Sequence, residues 1–135
     1  AADDEPLEHV EYLAEKATMP IELIEHMQKH IGDAGSVVSW HADFENTQNK
    51  NKALMYPEKQ KFLQGLMDRT MDLEDPFKEG YVDIQFQGST SIKKVLPALI
   101  PALDYSGMKV ASGTDAMEAW HRLVGLAVGP AKYEL

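Results

Sequence analysis

Apolar residues return at helical spacing between residues 20 and 31, where Ile21, Ile24, Met27 and Ile31 fall on one face and predict an amphipathic helix. Pro20 suits the first turn and Gly32 stops the run. Gly35-Ser36 then turns the chain into Val37-Val38-Ser39-Trp40, a short apolar run that predicts a buried strand. Asp43 is placed to cap a helix running to about Met55, and Pro57 opens another with Phe62, Leu63, Leu66 and Met67 on its inner face. Arg69-Thr70-Met71-Asp72-Leu73 reads as a second short strand.

Residues 74–88 are rich in turn formers, with Asp75-Pro76, Gly80 and Gly88, and predict mostly loop. A helix over 89–100 follows, approached through Ser89-Thr90-Ser91, with Ile92, Val95, Leu96 and Leu99 inward. Pro97 lies inside that span and is expected to kink it, end it or split it into two short turns. The last helix starts at Ser112, turns Ala116, Ala119, Trp120, Leu123 and Val124 inward, and ends at Gly129-Pro130.

Strand, helix, strand, helix with short links points to an α/β fold, mostly helical around a small parallel sheet. Two strands are too few for a sheet whose faces five helical segments must cover. Either weak strands hide in residues 6–14 and 81–87 or part of the sheet is absent, and absence is the expectation.

A length of 135 residues bounds the chain to one domain, 1–135, with a single core. No cysteine occurs, which removes disulfide frameworks and thiolate metal sites and favours a reducing, cytoplasmic setting. The acidic start Ala1-Ala2-Asp3-Asp4-Glu5-Pro6 is not a signal peptide, and no apolar stretch is long enough for a membrane span. A net charge of −9 opposes broad attachment to a polyanion, because Lys and Arg supply most non-specific affinity for nucleic acid. Bound divalent cations invert such a local field, so the charge does not exclude a nuclease. The basic strips left for a phosphate backbone are Lys50, Lys52, Lys59 and Lys61, and the pair Lys93-Lys94.

The first strand delivers His41, Asp43 and Glu45 within five positions, and a rigid strand end fixes carboxylates more tightly than a loop. Structural roles compete for each. Asp43 suits a helix cap, Glu45 suits a first turn through the helix dipole, and His41 suits a packed histidine. Asp115 lies three residues after Ser112, a capping-box spacing. Asp72 can simply close a turn. His26 and His30, four apart, lack the intervening Glu of a zinc protease and read as solvated surface residues. Ser89, Ser91, Lys93 and Lys94 place hydroxyls, backbone N–H groups and cations at a helix start, which suits a phosphate or a multiply capped helix.

The runs Gly35 to Glu45, Arg69 to Leu73 and Gly88-Ser89-Thr90-Ser91-Ile92-Lys93-Lys94-Val95-Leu96-Pro97, spread through roughly residues 7–127, resemble a bacterial family of unknown function. That family in turn resembles the ribonuclease-H-like DEDD 3′–5′ exonucleases, in which four carboxylates hold two divalent ions for phosphodiester hydrolysis. The resemblance implies a partial ribonuclease-H-like fold. His9 to Ala14 is similar to the segment closing the opening meander, and no Asp-x-Glu strand precedes Gly35, so the opening strands are expected to be missing. The second acidic motif ends on Glu45, with Asp43 as the neighbour able to replace it, and the third falls on Asp115-Ala116. Its general base is absent, since Val110 and Ala111 stand where a His or Tyr belongs.

The implied roles are catalytic for Glu45 and Asp115, Mg2+ or Mn2+ ligation for Asp43, Glu45 and Asp115, and phosphate contact for Ser89, Ser91, Lys93 and Lys94. The expectation is a portion of a metal-dependent nuclease acting on nucleic acid, inactive as this chain alone. The alternative is a non-catalytic binding or assembly module on the same scaffold. An open sheet edge would pair with a second copy or with a missing N-terminal segment of the same protein.

Overall fold

A computed structural model describes residues 5–125. Helix α1 spans Ile21–Ile31, strand β1 Val37–Ser39, helix α2 Ala42–Met55, helix α3 Gln60–Asp68 and strand β2 Thr70–Asp72. Helices α4 (Asp75–Glu79), α5 (Ile92–Leu99) and α6 (Gly113–Gly125) follow. Single 3-10 turns at Pro57–Lys59 and Ile84–Phe86 precede α3 and α5.

The two strands pair in parallel, with Val37 opposite Thr70, Val38 opposite Met71 and Ser39 opposite Asp72. A parallel pair needs a long crossover, and α2 and α3 supply it. Strand alternation turns Val37, Ser39, Thr70 and Asp72 toward the half-buried side and leaves Val38 and Met71 exposed side by side on the other. Among the described residues neither 6–14 nor 81–87 forms a strand.

Ile24 of α1 is buried against Phe62, Leu63 and Leu66 of α3, with Met27, Val37, Ala53 and Tyr56 packed around them. Full burial of each such side chain stabilises by roughly 1.5–3 kcal/mol, so this cluster fixes the α1, α3 and β1 arrangement. Ile31, expected inward, is exposed because α1 ends there and the chain turns away. That turn uses two left-handed glycines, Gly32 at φ 67° and Gly35 at φ 86°, where a side chain would be strained. Arg69 closes it, its guanidinium donating to the carbonyls of Gly32, Ala34 and Gly35.

Residues 74–88 are more ordered than their composition suggests. Pro76 in the first turn seeds α4, and its carbonyl accepts from both Gly80 and Tyr81 N–H. Asp83 accepts from Gln85 N–H at 2.8 Å and starts the second 3-10 turn. Helix α5 is continuous through Pro97 and stops two residues later, so the proline ends it without splitting it. In α6, Leu123 is buried and Ala119, Trp120 and Val124 are half-buried, whereas Ala116 is exposed, contrary to its expected inward position. The helix crosses the N-terminal segment where Trp120 Nε1 donates to the Ala14 carbonyl at 2.8 Å, and Ala116 lies a turn before that contact. The expected stop at Gly129-Pro130 lies outside the described residues.

Phe86, Val95 and Leu123 are buried but do not belong to the Ile24 cluster. An aromatic row reaches Phe86, with Trp40 and Phe77 centroids 5.4 Å apart and Phe77 and Phe86 5.8 Å apart.

Candidate functional site

Beyond Ser39 the chain passes Trp40 to His41, whose left-handed backbone (φ 61°, ψ 56°) swings it into α2. A non-glycine residue rarely adopts this conformation unless its surroundings hold it. Here Asp72 at the end of β2 does so. Its Oδ1 accepts from His41 N–H and its Oδ2 from Ala42 N–H, each at 2.9 Å. Oδ1 also accepts from Glu74 N–H at 2.9 Å, which is the turn-closing role the sequence suggested. Asp72 therefore caps α2 from the neighbouring strand, and Asp43, expected as the cap, lies inside the first turn and is exposed. Burial alone would raise the Asp72 carboxyl, but the backbone N–H groups of Glu74, Ala42 and His41 and the nearby Lys78 hold it below its ordinary value.

Glu74, 5% exposed, is the centre of the group. Its Oε2 accepts from Lys78 Nζ at 2.8 Å and from His41 Nδ1 at 2.7 Å, and its Oε1 accepts from the Thr90 hydroxyl at 2.6 Å. A carboxylate with these donors remains ionised, and the Glu74 carboxyl is pushed down to about 2, first by Lys78, then by Thr90 and His41 against the opposing effect of burial. The same pairing raises the Lys78 ammonium. Lys78 also stands 3.6 Å from Asp72 and 3.8 Å from Asp75, so one ammonium serves three carboxylates. Trp40 Nε1 donates to the Thr90 carbonyl at 3.1 Å, tying the end of β1 to the same residue.

The residues singled out from the sequence are placed differently. Glu45 is exposed on the first turn of α2, and its charge raises Lys52 only partly against the burial that lowers that ammonium. Asp43 is exposed, its carbonyl accepting from the Thr47 hydroxyl at 2.7 Å. Asp115 is exposed on the first turn of α6, where its N–H donates to Ser112 Oγ at 3.1 Å, half of the capping-box arrangement. Ser89 Oγ accepts from Ser91 N–H at 3.1 Å, while the Ser91 side chain makes no cap bond to α5. Lys94 donates to Gln87 at 2.8 Å, and it shares a shallow pocket with Lys93, Gln85, Gln87, Pro97 and Ala98. His26, read as solvated, is half-buried between Tyr12 and His30, with centroids at 5.2 and 4.5 Å.

No three His, Asp or Glu side chains among the described residues gather into a group able to hold a metal ion. The carboxylates that do converge, Asp72 and Glu74, face N–H, hydroxyl and ammonium donors, and Lys78 supplies the positive charge a divalent ion would bring. The residues present do not by themselves fit a two-ion centre. The sequence did carry a signal for this group: Asp72 and Glu74 two apart at a strand end, with Lys78 four residues on at ion-pair spacing.

Residues 1–91 match the family model described as Domain of unknown function (DUF2779). No curated protein and no solved structure matches the chain.

Proposed function

The chain belongs to the DUF2779 family, and we propose that it is a portion of a metal-dependent 3′–5′ exonuclease domain on a ribonuclease-H-like scaffold, inactive as this chain alone. The observation that carries this reading is the parallel β1–β2 pair, whose carboxyl ends both carry acidic residues: Asp43 and Glu45 in the first turn of α2 that follows β1, Asp72 as the last residue of β2 and Glu74 two residues beyond it. Open α/β sheets bind ligands beyond the carboxyl ends of their strands. In this reading Glu45, Asp43 and Asp115 are a partial ligand set for Mg2+ or Mn2+ that requires further carboxylates. Ser89, Ser91, Lys93 and Lys94 contact the phosphates of a nucleic acid, and the protein works in the cytoplasm. No helix among the described residues is long and apolar enough to cross a membrane.

The test is a nuclease assay with single- and double-stranded substrates in Mg2+ or Mn2+, alongside a Mg2+ titration followed by backbone amide shifts. The expected result is no cleavage, with shifts confined to the first turns of α2 and α6 around Glu45 and Asp115. Metal-dependent cleavage abolished by Glu45→Gln overturns the claim that the site is incomplete.

A second reading, a non-catalytic binding or assembly module, is favoured by the engagement of Asp72 and Glu74 in holding the fold and by the exposed Val38–Met71 face. Its partner would be a second copy or a strand of another segment pairing with the open sheet edge. Silence of Glu45 and Asp115 in the Mg2+ titration selects this reading.

A further inference from the structure

The chain is held together in two different ways. Around Ile24 the contacts are apolar and non-directional, whereas Phe86, Val95 and Leu123 lie outside that cluster. The segment running from the second 3-10 turn through α5 is hydrogen-bonded to the strand ends at Thr90. That one residue receives a hydrogen bond from Trp40 on its carbonyl and gives one to Glu74 from its hydroxyl. Glu74 in turn holds His41 at the start of α2 and Lys78 on α4. Three separate stretches of chain thus converge on one buried carboxylate.

We propose that Glu74 is a conformational lock that fastens the start of α5 to the ends of β1 and β2. The lock is a positioning device and does not depend on the nuclease reading. Its physical basis is the asymmetry of buried hydrogen bonds: a made bond adds a modest net stabilisation, but a buried carboxylate left short of a donor is penalised more heavily. Removing one arm weakens the others, since all of them share one carboxylate. The segment containing α5 therefore releases as a unit, while the Ile24 cluster and the β1–β2 ladder, which use no Glu74 contact, stay formed. The aromatic row Trp40, Phe77 and Phe86 rides on the same joint and loosens with it.

The experiment is hydrogen exchange by NMR on the full chain, comparing Thr90→Val, Thr90→Ser and Glu74→Gln, with Trp120→Phe used to assign the Trp40 indole proton. Thr90→Val is expected to speed exchange of the Trp40 indole N–H and the Val95 amide at least tenfold, leaving the Val37 and Leu73 amides of the ladder within threefold of wild type. Thr90→Ser, which keeps the hydroxyl, restores slow exchange, and Glu74→Gln gives the larger effect. Unchanged exchange at Trp40 and Val95 overturns the lock, and so does a uniform loss across all four probes. If Glu74→Gln does not fold, the Thr90→Val and Thr90→Ser pair alone decides.

Discussion

Asp72 caps a helix that begins thirty residues before it. Its carboxylate accepts from Ala42 N–H at 2.9 Å and so joins the end of β2 to the start of α2. Asp72→Ala removes this acceptor together with those for His41 and Glu74, and is expected to destabilise by about 2–3 kcal/mol, above the ~1 kcal/mol typical of one cap. Asp72→Asn, which keeps one acceptor oxygen, should lose about half as much. Urea midpoints at neutral pH check both values.

The pH dependence follows from the carboxyls of Glu74 and Asp72, both lowered in the folded chain. A depressed folded value contributes stability that is complete above the unfolded value, here the ordinary 4.5 of a glutamate, and is lost as pH falls toward about 2. Stability should therefore drop between about pH 5 and pH 2, with Glu74 accounting for on the order of 2–3 kcal/mol. Glu74→Gln should flatten that part of the curve. Identical acid slopes in wild type and variant would show that Glu74 is not responsible.

Arg69 holds the α1–β1 turn through three backbone carbonyls, a geometry that needs a planar fork. Arg69→Lys keeps the charge but cannot reach all three, and should lower stability by roughly 1–2 kcal/mol. Exchange of the Val37 amide, which donates to the Arg69 carbonyl at 3.0 Å, gives a local readout and should accelerate.

Leu63 is fully buried and Val38 is exposed, although both lie in apolar runs. Leu63→Ala should cost about 2–5 kcal/mol, whereas Val38→Thr should stay within about 0.5 kcal/mol and improve solubility. Thermal denaturation separates the two, and a large loss for Val38→Thr would mean that this face is covered in solution.

The elements that periodicity fixes were legible in the sequence: α1 and α3 lie where their apolar spacing puts them, because local pattern and burial agree there. Strands β1 and β2 are in the expected places, but β1, expected to be buried, is only half-buried with Val38 exposed, since one face of a two-stranded pair stays uncovered. Helix α4 was missed because five residues carry too short a pattern to register, even with Pro76 in place. The cap of α2 was assigned to Asp43 because local spacing cannot reveal a donor-acceptor pair thirty residues apart. The same limit hid the His41 and Thr90 arms of the Glu74 group, although the local spacing of Asp72, Glu74 and Lys78 carried a signal for its centre. Of the residues chosen for chemistry, Asp43, Glu45 and Asp115 lie exposed on helix first turns, where an acid is favoured by the dipole alone.

Helix α2, Ala-Asp-Phe-Glu-Asn-Thr-Gln-Asn-Lys-Asn-Lys-Ala-Leu-Met, contains three asparagines and a threonine, has no side-chain cap of its own and starts from a left-handed residue. Its opening turn is completed only when β2 arrives beside β1, after the whole crossover has been traversed. Sheet closure and the nucleation of this helix are thus one cooperative step with a long loop to close, and the chain is expected to fold more slowly than its helical content alone would predict.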